Sequence, residues 1–143
     1  MRRNFIFILA AFLSLTPIAA GSVTASETAP SRDLVDANAI NELKQWLANP
    51  VVGISISSQN RKYISVNQQA IDDLDKQWRA ERETQDQPLI AATLSSPLSS
   101  YLTQIQAASG GLYAEIFIMD ANGLNVGQSS ITSDFWQGDE AKF

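Results

Sequence analysis

Within residues 32–48 the apolar side chains Val35, Ala39, Leu43, Trp46 and Leu47 return every three or four positions. That spacing puts them on one stripe of an α-helix, and Asn49-Pro50 stops it. A solitary stripe must pack on something, in its own domain or on a partner. The following stretch supports two readings. Val52, Ile54 and Ile56 alternate with Gly53, Ser55 and Ser57, the pattern of a half-buried strand. The same residues follow Pro50, a good first-turn residue, and suit a helix running towards Asn60. Residues 65–83 form a second amphipathic pattern, with Ile71, Leu74 and Trp78 on one side and charges on the other.

Residues 84–87 (TQDQ) read as a loop, and Pro88 opens a short helix, PLIAATL. Ser96-Pro97 restarts the chain as an N-cap followed by proline in the first turn. The helix it opens carries Leu98, Tyr101, Leu102 and Ile105 and ends at Gly110-Gly111. The period then changes. Residues 112–119 (LYAEIFIM) are aromatic and β-branched, Asp120-Ala121-Asn122-Gly123 is a turn, and residues 124–129 (LNVGQS) run on. The expectation is a β-hairpin with an Asn-Gly turn. Helices first and a hairpin afterwards make the class α+β.

The N-terminus stands apart from this pattern. Arg2 and Arg3 precede the 11-residue apolar run FIFILAAFLSL, then Pro17 and small residues lead to Val23-Thr24-Ala25. This is the layout of an export signal over residues 1–25, with cleavage before Ser26 and a second candidate site near Ala20. An uncleaved anchor is the other reading, but the run is shorter than the roughly 18 apolar residues of a spanning helix. Residues 26–31 (SETAPS) are a linker, and residues 32–143 are one domain.

Composition narrows the chemistry. The chain has 10 basic and 15 acidic residues; without Arg2 and Arg3 the balance is 8 to 15, a net charge of −7. That disfavours nucleic acid and anionic membrane surfaces as partners. There is no cysteine and no histidine. Disulfides, thiolate metal sites and the commonest general base are therefore missing, and a non-enzymatic protein without metal or cofactor is expected. None of the serines lies in a GxSxG or SxxK context. Asp120-Ala-Asn122-Gly123 lacks the glycine at position six and the glutamate at position twelve of a calcium loop, so it reads as an Asx-type turn. Asp72, Asp73 and Asp75 are interleaved with Lys76, Arg79 and Arg82 and read as a solvated, salt-bridged helix face. Trp46 and Trp78 fit helix stripes. Trp136 lies among Thr132, Ser133, Asp134, Gln137 and Asp139, as a pocket-wall aromatic or as part of a capped turn.

The run EIFIMDANGLNVGQSSITSDFWQGDEAKF, with LDKQWRAE and SPLSSYL upstream, resembles the periplasmic PDC-type (Cache, PAS-like) sensor domains, above all small stand-alone exported proteins of Gram-negative bacteria. Their pattern is a strand ending in D-x-x-G-x-N-V, then a loop T-S-D-[FYW]-W-Q-G-D-E. Asp120, Gly123, Asn125 and Val126 match the first part, and residues 132–140 match the second.

The resemblance implies a long N-terminal helix, an antiparallel sheet of about five strands and a membrane-distal pocket. It also implies that residues 49–60 continue in helix, against the alternation. Its functional expectation is a periplasmic module that binds a small organic ligand and signals through a membrane-bound receptor or kinase, without an output domain of its own. The ligand-binding candidates are Asp120, Asn125, Ser129, Thr132, Asp134, Trp136, Gln137 and Asp139. The sequence lacks the signature of the amino-acid-binding subgroup, so the ligand's identity does not carry over. The alternative is an interaction protein that docks on a membrane receptor without a small ligand. A domain of this kind would continue beyond Phe143 with about three more strands. Only its first hairpin is expected here, from a truncated chain or one whose sheet a second copy completes as a homodimer. The last ten residues are accordingly expected to pack poorly.

Overall fold

A computed structural model describes residues 37–140 of the chain; the export-signal reading and the linker fall outside them. Five helices precede two strands: α1 (Ala37–Leu47), α2 (Pro50–Lys62), α3 (Gln68–Glu81), α4 (Pro88–Leu94), α5 (Pro97–Ala108), β1 (Phe117–Met119) and β2 (Asn125–Gln128). The architecture is α+β, helices followed by an antiparallel hairpin. No helix among the described residues is long and apolar enough to cross a membrane.

Local chemistry sets most boundaries. Asn49 caps α2 through its side chain, which accepts from Val51 N at 3.0 Å, and Pro50 supplies the fixed φ of the first turn. The alternating stretch is therefore helical. A period of 3.6 turns Val52 and Ile56 into the core and leaves Ile54 67% exposed. Asn67 caps α3 and Ser96 caps α5 in the same way. Gln87 makes no such cap for α4. Glu81, buried at the end of α3, replaces it by accepting from Ile90 N at 2.9 Å.

The apolar side chains form two clusters. In the first, Val52, Ile56, Leu98, Leu102 and Tyr113 meet Ile116, Ile118 and Val126. In the second, Ile71, Trp78 and Ile90 meet Leu124 and Phe135. The hairpin and the loop after it feed both, so they join a half built on α2 and α5 to a half built on α3 and α4.

The hairpin is shorter than its sequence pattern. Pairing covers Phe117↔Gln128, Ile118↔Gly127 and Met119↔Asn125, with a bulge that leaves Val126 as the extra residue. Upstream, Gly110 and Gly111 at φ 63° and 92° turn the chain, and Leu112 is 45% exposed rather than paired. The turn is a three-residue loop. Asp120 N donates to Leu124 O, Gly123 N donates to Asp120 O, and Gly123 takes φ 82°. After β2 the chain doubles back: Asn125 N donates to Phe135 O and Gln137 N to Gly123 O, each near 2.9 Å. This bridge, Leu124↔Trp136, places residues 135–137 along the outer edge of β2.

That edge approaches α5 closely. A Cβ at Gly127 would lie 2.7 Å from Leu98 Cγ, and Leu98 is fully buried. Overpacking of this kind costs about 1–3 kcal/mol. Gly127→Ala is expected to lower unfolding stability by that amount in urea titration. Combined with Leu98→Ala it should cost less than the two single changes added together, because the second removes the obstruction to the first.

Candidate functional site

The run 132–137 is laid against one face of α3, and a single carboxylate organises the contact. Asp75 Oδ1 accepts from Phe135 N at 2.9 Å and Trp136 N at 3.1 Å. Its Oδ2 accepts from Arg79 Nε at 2.8 Å, and Arg79 Nη2 reaches Asp134 Oδ1 at 3.0 Å. Trp78 Nε1 donates to Thr132 O at 3.0 Å, and its indole stacks on Phe135 with centroids 5.3 Å apart. Arg82 Nη1 donates to Ser133 O. Asp75, then Asp134, raises the Arg79 pKa above its ordinary value, against the lowering effect of desolvation; Asp139 adds a smaller push upwards.

Beneath this contact lies a polar layer that is itself buried. Asn125 Nδ2 donates to Gln128 Oε1, Thr132 Oγ1 and Asp134 O, all within 3.1 Å. Thr132 Oγ1 and Gln137 Nε2 donate to the same Asp134 carbonyl, at 2.7 and 2.9 Å. Two amide atoms of the layer, the acceptor Asn125 Oδ1 and the donor Gln128 Nε2, have no partner. The layer therefore keeps one acceptor and one donor that no other protein group satisfies.

The structure thus brings four of the predicted residues, Asn125, Thr132, Asp134 and Gln137, onto one carbonyl. Asp120 lies across the hairpin from them. Its Oδ1 accepts from Asn122 N and Leu124 N, the Asx-type turn, and its Oδ2 accepts from Gln59 Nε2 at 3.0 Å. Trp136 Nε1 donates to Asn122 O at 2.9 Å, so the indole closes over the turn. There a Cβ on Gly123 would meet the Gly138 backbone at 2.9 Å. Ser129 stands apart, its hydroxyl accepting from Ile116 N at 2.8 Å. Asp139 is exposed.

Two expectations are corrected. Among the described residues of the last ten, the packing is not poor: Phe135 is 3% and Gln137 2% exposed, because Asp75 and the edge of the hairpin hold their backbone. Asp75 does not belong to a solvated face; it turns inward at 8% exposure while Asp73 stays out. Glu81 shares that inward position. A shift from hydrated to buried carboxylate leaves no mark in composition. The available signal was position, since Asp75, Trp78 and Glu81 repeat at the spacing of the apolar stripe.

A cleft of about 200 Å³ opens beside this assembly, between α2, α4 and the hairpin. Tyr63, Leu89, Val126 and Phe135 give it apolar walls, Gln59, Thr93 and Ser96 give polar groups, and among the described residues Lys62 is its only charged one. The Lys62 ammonium sits 4.8 Å from the Tyr63 ring centroid. None of the eight predicted residues lines it. Gln59 ties it to the hairpin, with its amide nitrogen near Asp120 Oδ2, Leu124 O and Asn125 O.

Charge-assisted hydrogen bonds contribute about 1.5–3 kcal/mol each, whereas exposed ion pairs contribute about 0–1 kcal/mol. Arg79 is 54% exposed at its side chain. Asp75→Ala is therefore expected to cost at least ~3 kcal/mol and to expose the Phe135 and Trp136 amides to hydrogen exchange. Arg79→Ala should cost less than ~1 kcal/mol and leave those amides protected.

Tyr113 supplies a pH test. Burial, and then the charge of Glu42 and a hydrogen bond to it, raise its pKa above the ordinary 10.0. The folded state thus holds this proton more tightly than the unfolded chain. Its contribution is complete below pH 10.0 and falls as the pH rises through the folded value. Tyrosinate absorbance should show one late-titrating tyrosine. In Glu42→Gln that tyrosine should titrate earlier but remain above the ordinary value, because burial is the larger cause.

Comparison with family models, curated proteins and solved structures finds no match to this chain.

Proposed function

We propose that this chain is a small-ligand-sensing module of the periplasm, without catalysis of its own, that passes its signal to a membrane-bound receptor or kinase. The observation that carries the reading is the cleft between α2, α4 and the hairpin. Its lining residues also hold the neighbouring elements: Gln59 bonds the hairpin turn, and the Phe135 amide is held by Asp75 on α3. A ligand that presses on Gln59 or Phe135 changes groups on which both halves of the fold depend. That supports occupancy being read as a change in the hairpin and the loop.

Ligand class follows from charge. Against a net charge of −5 for the chain, Lys62 gives this cleft a single positive group. Apolar walls with a few placed polar groups are the usual make-up of small-molecule sites. A volume of about 200 Å³ limits the guest to a few heavy atoms. The reading is a short-chain carboxylate bound by Lys62 and the polar groups of Gln59, Thr93 and Ser96.

Docking on a receptor without a small ligand is favoured by one feature, the two-thirds exposure of Ile54 and Ile64. A thermal-shift screen of carboxylates, amines and amino acids separates the two readings. At a ligand concentration of about 100 times Kd the gain is ~2.7 kcal/mol, a rise of roughly 10 °C in Tm for a domain of this size. A carboxylate should produce such a rise, and Lys62→Gln should abolish it while leaving the ligand-free Tm unchanged. The absence of any carboxylate shift, or a shift that survives Lys62→Gln, rejects the sensor reading at this cleft.

A further inference from the structure

A second cleft, of about 440 Å³, lies between α1 and the C-terminal end of α5 and shares no lining residue with the first. Its volume falls within the roughly 300–1,000 Å³ common for small-molecule sites. Its chemistry is the opposite of the first cleft's. Among the described residues the only charged one in its lining is Glu42, with Trp46 one helical turn further along α1 and therefore on the same face. Tyr113 completes the group from beyond α5. Its ring meets Trp46 edge to face at 4.9 Å and 85°, and its hydroxyl donates to Glu42 Oε2 at 3.3 Å.

Each feature alone has a structural use. Tyr113 belongs to the first apolar cluster, and Trp46 packs against that cluster. Core packing does not call for a carboxylate beside the two rings, however. No ion pair to Glu42 is found among the described residues, and its side chain is exposed on α1. The bond from the Tyr113 hydroxyl holds one carboxylate oxygen next to the aromatic pair. A negative charge and ring quadrupoles then act on the same space, and both attract a positive group. Trp46 remains partly exposed on that side, and Leu112, 45% exposed, adds an apolar rim.

We infer that this cleft binds a small organic cation, an alkylammonium compound, with Glu42 as counter-ion and Trp46 and Tyr113 as its aromatic walls. The site is independent of the carboxylate cleft, and neither needs the other to exist.

The test titrates choline into the full chain and follows the Trp46 indole N–H and the Tyr113 ring by NMR. Choline's uncharged isostere, with carbon in place of the quaternary nitrogen, is the control. Choline should give saturable shifts at both residues and bind severalfold more tightly than the isostere, since ring quadrupoles and the Glu42 charge attract a cation and not its uncharged counterpart. Glu42→Gln should weaken choline by up to about fivefold, the effect of losing an exposed ion pair. Tyr113→Phe keeps the ring but frees the carboxylate, so it should bind choline more weakly than the parent chain and more tightly than Glu42→Gln. Lys62→Gln should change nothing here while abolishing the carboxylate response, which separates failure at one cleft from failure at the other. Equal affinity for the isostere, no saturable shift, or shifts confined to other residues overturns the inference. The comparison of choline with its isostere uses the unsubstituted chain, so it decides the matter even if a variant fails to fold.

Discussion

The carboxylate of Asp75 is the constraint on which the second half of the fold depends. A carboxylate at 8% exposure has lost most of its hydration, and burying it is tolerable only when its lone pairs are occupied. Two backbone amides and a guanidinium occupy them. The amides matter most. They belong to a loop that has no helix and only a single bridge to β2, so Asp75 supplies the partners that regular structure would otherwise give. Once Phe135 and Trp136 are fixed, Phe135 falls onto Trp78 and the second apolar cluster closes. Trp136 lies over the turn at the same time. One side chain on α3 thus sets the geometry of both aromatics that follow β2.

The hairpin is held by a comparable economy of contacts. A two-stranded ribbon is marginal in water by itself. Here the outer edge of β2 is occupied by groups from three elements, one of them backed by a fourth. Ser99 on α5 accepts from Gln128 N and donates to Thr93 O at the end of α4. Gln59 and Asn60 on α2 reach the turn, and the 135–137 segment bonds the other end. Side chains from helices do what a third strand does in a larger sheet. This arrangement requires the close approach at Gly127, and it accounts for Ser99 being polar and yet fully buried.

Much of this was legible in the sequence, and the remainder was hidden for physical reasons. Pro50, Pro88 and Ser96-Pro97 mark helix starts because proline and capping residues act locally, within one turn. The Asp120 turn is likewise local. The stretch around Ile54 was ambiguous because three apolar residues at even spacing satisfy a strand, whereas a helix needs only two of them inside. The loop residues from Thr132 to Gln137 read, by type and spacing, as a group facing a ligand. Composition gave no sign that they converge on the Asp134 carbonyl instead of on an open cleft. Asp75 and Glu81 were hidden for the same reason. A carboxylate's hydration depends on what the rest of the chain brings to it, and that is a long-range fact.

The two clefts divide the molecule's charge in a way that its net acidity conceals. Lys62 gives the α2–α4 cleft one positive group, and Glu42 gives the α1–α5 cleft one negative group. Each charge stands beside an aromatic ring, Tyr63 or Tyr113. Both clefts also border the first apolar cluster, the one through Val126 and the other through Trp46 and Tyr113. Ile116, Ile118 and Val126 of the hairpin lie in that cluster with Tyr113. Packed interiors at close-packed density transmit displacement instead of absorbing it. A guest that shifts Tyr113 and a guest that shifts Val126 therefore press on the same hairpin from opposite sides of one cluster. Were both clefts occupied, any coupling through this cluster would be reciprocal, because linkage makes each guest change the other's affinity by the same factor.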